Sequence, residues 1–204
     1  IGNAAQHTQS LEAWFTHVPG LKVVTPSNAY DAKGLLKSAI RDDNVVLFFE
    51  HTALYRERGH VPEEEYLVPL GVSDVKRAGV DVTIVSYARQ VQFSLKAAEV
   101  LAEEGIDVEV IDLRTLYPLD IDPVIESVQK TNQVMVVHEA LRFGGFCGEV
   151  ASQIHELAID YLDALVKRLG TAHAPVPFSE PLEFASFPSV ETISQGVRDI
   201  LQGI

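Results

Sequence analysis

The chain has 204 residues, 47% of them hydrophobic and 22% charged, which is enough apolar material for a sizeable core in one large or two small domains. Sixteen Lys and Arg against 29 Asp and Glu leave a net charge of −13, which argues against nucleic acid, whose phosphates demand a basic face, and suits a basic protein partner. No apolar run approaches the ~20 residues that span a bilayer, so membrane insertion is not expected. The single Cys147 excludes an internal disulfide and fits a reducing compartment.

The sequence opens Ile1-Gly2-Asn3 with no initiator Met and no secretory signal, and reads as an internal fragment. Leu11, Trp14, Phe15 and Val18 have the i, i+3, i+4, i+7 spacing of one helix face and predict a helix over residues 8–18 capped by Thr8. His7 then stands just before the helix N-terminus, where free N–H groups and the positive dipole end favour a carboxylate or phosphate. An ordinary loop histidine satisfies the same spacing. Pro19-Gly20 makes a turn into a strand over 21–24, and Asn28 caps a helix with Asp31 in its first turn and Ala32, Leu35, Leu36, Ala39 and Ile40 on its buried face. That helix ends at Arg41-Asp42-Asp43-Asn44. Its last, unpaired carbonyls suit a hard cation, with an ordinary water-capped end as the alternative. The apolar run 45–49 predicts a strand covered on both faces.

Residues 57–70 lack periodicity and read as a linker, in which Glu63, Glu64 and Glu65 diverge as a solvated face rather than a metal site. Strands over 82–85, 108–111, 134–137 and 166–169 then alternate with helices. These helices run through Leu95 to Leu101 and close at Gly105, open at Asp122-Pro123, cover 148–162, and start at Pro188-Ser189. The last of them has Val190, Ile193, Val197, Ile200 and Leu201 on its buried face. The alternation predicts an α/β fold with a mostly parallel sheet and helices on both faces. Gly144-Gly145 follow a strand, where they border a ligand or allow close packing. His138 and Glu139 are neighbours in extended chain and point to opposite faces, so at least one is structural. Cys147 has no base beside it and reads as a packed residue, and the remaining histidines share no metal-ligand spacing. Neither a phosphate loop nor a dinucleotide fingerprint is present.

Taken in order, Gln6-His7-Thr8-Gln9-Ser10-Leu11-Glu12, Pro19-Gly20-Leu21-Lys22-Val23-Val24, Asp31-Ala32-Lys33-Gly34-Leu35 and Ile40-Arg41-Asp42-Asp43-Asn44 resemble one family. It is the beta subunits of the thiamine-diphosphate-dependent 2-oxo acid dehydrogenases, the decarboxylating component of pyruvate and branched-chain complexes. Asp81-Val82-Thr83-Ile84-Val85, the run from Asp112 to Asp120, His138-Glu139 with Gly144-Gly145-Phe146, and Tyr161-Leu162-Asp163-Ala164 extend the resemblance over essentially the whole chain.

The resemblance implies that residues 1–56 are the C-terminal part of a pyrimidine-binding domain and 57–70 a linker. Residues 71–204 would form a transketolase C-terminal-like domain of three α/β/α layers. It implies thiamine diphosphate with magnesium, held between this chain and an alpha subunit or a fused alpha region, with the glutamate that activates the cofactor lying upstream of residue 1. His7 matches the active-site histidine. Ala39, Ile40, Asp42 and Asn44 match positions whose carbonyls hold a potassium ion. Asp163, with the terminal carboxylate of Ile204, matches the grip on the subunit-binding domain of the dihydrolipoyl acyltransferase. A second beta chain is the other expected partner. The parent would decarboxylate a 2-oxo acid oxidatively and pass the acyl group to lipoyl, in the bacterial cytoplasm or the mitochondrial matrix, with the fragment alone inactive. Two further readings stand beside this one. The chain is an assembly module of the same fold that binds a basic partner, or a piece of a transketolase or deoxyxylulose phosphate synthase, which the 112–120 run and the potassium positions fit less well.

Overall fold

The computed structural model describes residues 3–203. Two short helices, α1 (Ala4–His7) and α2 (Glu12–Thr16), lead into β1 (Leu21–Val24), α3 (Ala29–Arg41) and β2 (Val45–Phe48). After an extended passage come β3 (Asp74–Arg77), β4 (Val82–Ser86), α4 (Arg89–Ala102), β5 (Val108–Asp112) and β6 (Thr115–Tyr117). The chain continues through α5 (Asp122–Thr131), β7 (Val134–Leu141), α6 (Cys147–Ala158), β8 (Lys167–Thr171), α7 (Glu180–Ser186) and α8 (Val190–Leu201).

The strands make two sheets. The larger, in the order β3-β5-β4-β7-β8, is parallel except for the antiparallel edge strand β3. Its central strands are apolar on both faces, and the period of two sorts them cleanly. Val85, Ile111, Val134 and Val136 pack against Val124 and Val128 of α5 and Val150 and Ile154 of α6. Ile84, Val110, Met135 and Val137 pack against Ala97 and Leu101 of α4 and Ile193 and Val197 of α8. Each such side chain contributes about 1.5–3 kcal/mol by leaving water, which makes this α/β/α sandwich the main store of stability. The smaller sheet has the order β2-β1-β6, with β1 and β2 parallel, and reaches the same core through Val23 and Leu116.

A buried ionic cluster ties the first part of the chain to the second. Asp31, fully buried in the first turn of α3, takes Lys76 at 2.6 Å and Arg114 at 2.8 Å, and Asp74 takes the same two cations at 2.6 Å each. Ser27 donates a 2.5 Å hydrogen bond to the equally buried Asp112. Within the 57–70 passage, residues 66–68 pack against α3. Tyr66 stacks on Tyr30 with ring centroids 4.5 Å apart, Ser38 donates to the Val68 carbonyl at 2.6 Å, and Val68 lies so close to Gly34 that a Cβ there would approach it to 2.4 Å. Glu63, Glu64 and Glu65 are solvated, as their divergence predicts.

The first helix departs from the sequence expectation. Thr8 does not cap a helix over 8–18; its hydroxyl turns back to the Ala4 carbonyl at 2.6 Å, Gln9 does the same to Ala5, and α2 starts only at Glu12. This side-chain competition for backbone carbonyls ends α1 at His7. In α3 the buried residues are Asp31, Gly34 and Leu35, while Leu36 and Ile40 are exposed, because the ionic cluster and the 66–68 passage set which side faces inward. The strand at 45–48 is not covered on both faces: β2 is an edge strand and Val45 is 62% exposed. Leu201 is exposed, α6 stops at Ala158 before a 3-10 turn, and β7 runs to Leu141, four residues past the expected Val137. Strands β3 and β6 and helix α7 carry no apolar period and went unpredicted.

Lys76→Met leaves Asp31 with a single cation in a dry site and is expected to destabilise the chain by about 3 kcal/mol. Urea unfolding at pH 7 reads this, and an unchanged midpoint would show that the cluster holds nothing together.

Candidate active site

Open α/β sheets bind ligands outside the carboxyl ends of their strands, and three strand ends converge here. Beyond β4 lie Tyr87, Ala88 and Arg89; Glu139 stands near the end of β7; Glu50 and His51 follow β2. With the 7–12 segment laid across them, these residues enclose a cavity of about 180 Å³ that includes His7, Leu11, Glu12 and Phe49 in its wall. A second, more apolar cavity of about 380 Å³ adjoins it and shares Leu11, Glu139 and Phe187.

Glu139 organises the polar wall. One oxygen lies 2.9 Å from His51 Nε2 and the other 3.3 Å from Arg89 Nη1. His51 Nδ1 accepts from the Ala53 amide at 3.2 Å, so Nε2 carries the ring proton and donates it to Glu139. Burial opposes the charge on Glu139, yet His51 and Arg89 outweigh it and hold the carboxyl below its ordinary range. Glu12 is governed the other way: burial pushes its carboxyl up even though Tyr87 donates to it at 2.7 Å.

His138 points away from Glu139, as adjacent residues in a strand must. It is 1% exposed and its Nδ1 lies 3.1 Å from the Tyr87 oxygen. Burial, with a smaller effect of Arg168, pushes its pKa down to about 4. A Cβ on Gly145 would fall 2.3 Å from His138 Cε1 and one on Gly170 2.7 Å from Cδ2, so Gly145 serves packing around this ring. Cys147 is buried and its thiol is pushed well up by that burial, which leaves it inert.

The other sequence candidates are dispersed. His7 reaches the cavity from the end of α1; the helix N-terminus expected beside it lies instead at Glu12, so the backbone cradle for an anion is not formed there. Ala39, Ile40, Asp42 and Asn44 cluster at the opposite end of β2 from His51. There the Asp42 carboxylate pairs with Lys22 and accepts from the Asn44 backbone and side-chain amides at 2.9 Å each, and Lys22 foremost lowers its pKa to about 2. Asp163 is exposed at the amino edge of the large sheet, its amide bonded to the Asn132 carbonyl at 2.9 Å. Close by, Lys167 at the start of β8 holds Asp199 in the last turn of α8 at 2.7 Å. Ile204 lies outside the described residues. Sequence reasoning missed Glu12, His51, Tyr87 and Arg89. The signal for the last three was positional, since each follows the carboxyl end of a strand.

An open parallel sheet with a site at its strand ends, joined to a smaller sheet that carries a cavity histidine, defines a transketolase-like class of fold. Residues 71–193 match the transketolase C-terminal domain and residues 2–58 the transketolase pyrimidine-binding domain, and the chain belongs to this thiamine-diphosphate-dependent family. It is 46% identical over 98% of its length to the acetoin:2,6-dichlorophenolindophenol oxidoreductase subunit beta of Cupriavidus necator, covering 59% of that protein. It is 45% identical over 97% of its length to the pyruvate dehydrogenase E1 component subunit beta of Porphyra purpurea, covering 60% of it. The 2-oxoisovalerate dehydrogenase subunit beta of Bacillus subtilis is 43% identical over 99% of the chain and is covered to 62%. The chain thus spans about three-fifths of the length of the curated relatives it matches. A split-gene transketolase, described as an inactive beta4 tetramer, superposes with a TM-score of 0.80 at 23% identity, over 98% of this chain and 63% of that one, which shows the shared fold. Among the described residues no helix is long and apolar enough to cross a membrane.

The depressed pKa of His138 has a defined sign. The unfolded imidazole protonates near 6.5 and the folded one only near 4, so its contribution is complete above pH 6.5 and lost as pH falls toward 4, by up to about 3 kcal/mol. Asp112, pushed up to about 6 by burial, gives the opposite slope but cancels in a comparison of variants. His138→Gln is expected to shrink the stability difference between pH 7 and pH 4.5, measured by urea unfolding; identical slopes would refute the assignment.

Proposed function

We propose that this chain is a C-terminal part of the beta subunit of a 2-oxo acid dehydrogenase. It would supply one wall of the site at which a 2-oxo acid, pyruvate or a branched-chain one, is oxidatively decarboxylated and its acyl group passed to lipoyl. The observation that carries this reading is that His7 and the His51–Glu139–Arg89 set, drawn from both matched regions, line one cavity. Glu50 and Glu139 stand in this wall, and carboxylates suit a cationic heterocycle such as thiazolium. Arg89 is engaged with Glu139 and, among the described residues, no lysine lines the cavity, which is in keeping with a diphosphate and magnesium held by an alpha subunit or a fused alpha region. When bound, thiamine diphosphate supplies the electron sink that decarboxylation of a 2-oxo acid requires.

His7 would hold or move a proton at the substrate carboxylate and at the lipoyl sulfur, a role its place in the cavity wall supports. An imidazole can accept or donate a proton and so can do either. His51 has both ring nitrogens engaged and acts as a tie. Leu11, Phe49 and Phe187 keep water from the reacting groups. The carbonyls of Ala39, Ile40, Asp42 and Asn44 would bind potassium; the Asp42 carboxylate is already committed to Lys22 and Asn44, which leaves backbone oxygens as the donors. Asp163 would grip a basic subunit-binding domain of the dihydrolipoyl acyltransferase, in keeping with its exposure and the net charge of −13. A second beta chain completes the assembly, in the bacterial cytoplasm or the mitochondrial matrix. Residues 1–56, 57–70 and 71–204 are the corresponding domain fragment, linker and domain.

His7→Ala in the parent enzyme, assembled with its alpha subunit, is expected to slow acyl transfer to lipoyl by about 10²-fold or more while thiamine diphosphate binding is retained; an unchanged rate removes the assignment. The chain alone, with cofactor and magnesium, should not turn over pyruvate or 2-oxoisovalerate. The acidic surface equally favours an assembly module that performs no chemistry. Asp163→Lys tests the surface that both readings share, because partner capture by calorimetry should fall by more than 10-fold on the charge reversal, and retained affinity excludes Asp163 from the interface; loss of acyl transfer in His7→Ala is what separates them.

A further inference from the structure

Glu12, Tyr87 and His138 come from α2, the β4–α4 loop and β7, and all three are 5% exposed or less. They form a continuous chain, with Tyr87 Oη 2.7 Å from Glu12 Oε1 and 3.1 Å from His138 Nδ1. One end, Glu12, stands in the wall of the His7 cavity. At the other end His138 Nε2 faces Gly145 and Gly170, where a Cβ would lie 3.1 Å and 2.7 Å from it. Gly145 in turn lines the adjoining apolar cavity. The chain therefore runs from the wall of the His7 cavity to a buried imidazole packed against Gly145, a residue that lines the adjoining cavity.

We propose that Glu12–Tyr87–His138 is a proton relay that makes Glu12 a second proton-exchanging group of the His7 cavity, with Tyr87 and His138 as its positioning residues. The catalytic meaning of the relay rests on the functional reading above, whereas its existence does not. With Glu12 ionised, Tyr87 donates to it and His138 Nδ1–H donates to the Tyr87 oxygen. A proton supplied by solvent to His138 Nε2 releases the Nδ1 proton to the tyrosine oxygen, which passes its own proton to Glu12. Both hydrogen bonds reverse and one proton has crossed. Glu12 ends neutral, Tyr87 donates to Nδ1, and His138 is an Nε2–H tautomer. No member carries charge in either resting state except the Glu12 carboxylate.

The surroundings favour this neutral bookkeeping of protons. Burial raises Glu12, with Glu139 acting in the same direction and His51 against it. Burial also raises Tyr87, helped by Glu12, Cys147 and Glu139, and keeps His138 from becoming a cation near neutrality, helped by Arg168. A hydrogen-bonded chain in which each member resists ionisation shifts protons by changing bond direction rather than by storing charge.

The test is a pH titration of the chain between pH 4.5 and 8 by NMR, with ¹⁵N-labelled histidine and ¹³C-labelled glutamate carboxyls. In the wild type, the His138 nitrogens should exchange pyrrole-type and pyridine-type character with the same midpoint as the Glu12 carboxyl. Tyr87→Phe removes the shared oxygen and should leave His138 in one tautomer while Glu12 still titrates. Glu12→Gln should hold His138 constant across the range. A His138 tautomer that ignores Glu12 in the wild type, or that still follows it in Tyr87→Phe, overturns the relay. The measurement requires no turnover, so failure of the catalytic reading of His7 would appear in the lipoyl assay and leave this result standing.

Discussion

Everything in this structure that concerns chemistry depends on a carboxylate that water cannot reach. Asp31 sits in the first turn of α3 between Lys76 and Arg114, and its burial is tolerated only because two cations and Asp74 complete the set. A charged group so placed is poor evidence of raw stability, since a well-packed apolar trio often does as well. What it supplies is register: α3 can seat on the large sheet in one orientation, the one that satisfies the ions. That seating fixes β1 and β2 and carries His51 to the edge where β7 ends.

The fold was readable where periodicity and apolar content coincide. Val82 to Val85, Val108 to Ile111 and Val134 to Val137 announced buried parallel strands because both faces of each are covered, and Asn28 with Asp31 announced the start of α3. Strand β3 was invisible because Asp74 and Lys76 serve the ionic cluster and Arg77 pairs with Asp107, so its side chains do not alternate as a sheet face would. After His7 the apolar spacing predicted one helix over 8–18, yet Thr8 and Gln9 turn back onto α1, only Glu12–Thr16 is helical, and Trp14 and Val18 are exposed while Glu12 is buried. Local side-chain competition of this kind leaves no mark on a hydrophobic pattern.

The cavity was legible only in pieces. His7 emerged from an ordered set of motifs, and the opposed faces of His138 and Glu139 followed from the pleat; their separate destinations, one in the core and one in the cavity wall, follow from that opposition. Glu12 stood in the sequence only as the last residue of the Gln6–Glu12 motif, and nothing in the sequence singled out Tyr87 or Arg89. They became site residues because the strand ends of two sheets meet at one place, a relation between residues 12, 51, 87 and 139 that no local window contains.

The bond between His51 and Glu139 has a thermodynamic corollary. It joins the segment after β2 to the end of β7, so the cavity exists in finished form only while the first part of the chain is docked on the second. A ligand that prefers the finished cavity must then strengthen that docking by the same free energy with which docking strengthens its binding. Occupancy of the site and solvent protection of the amides in α3 are, by this linkage, two readings of one equilibrium.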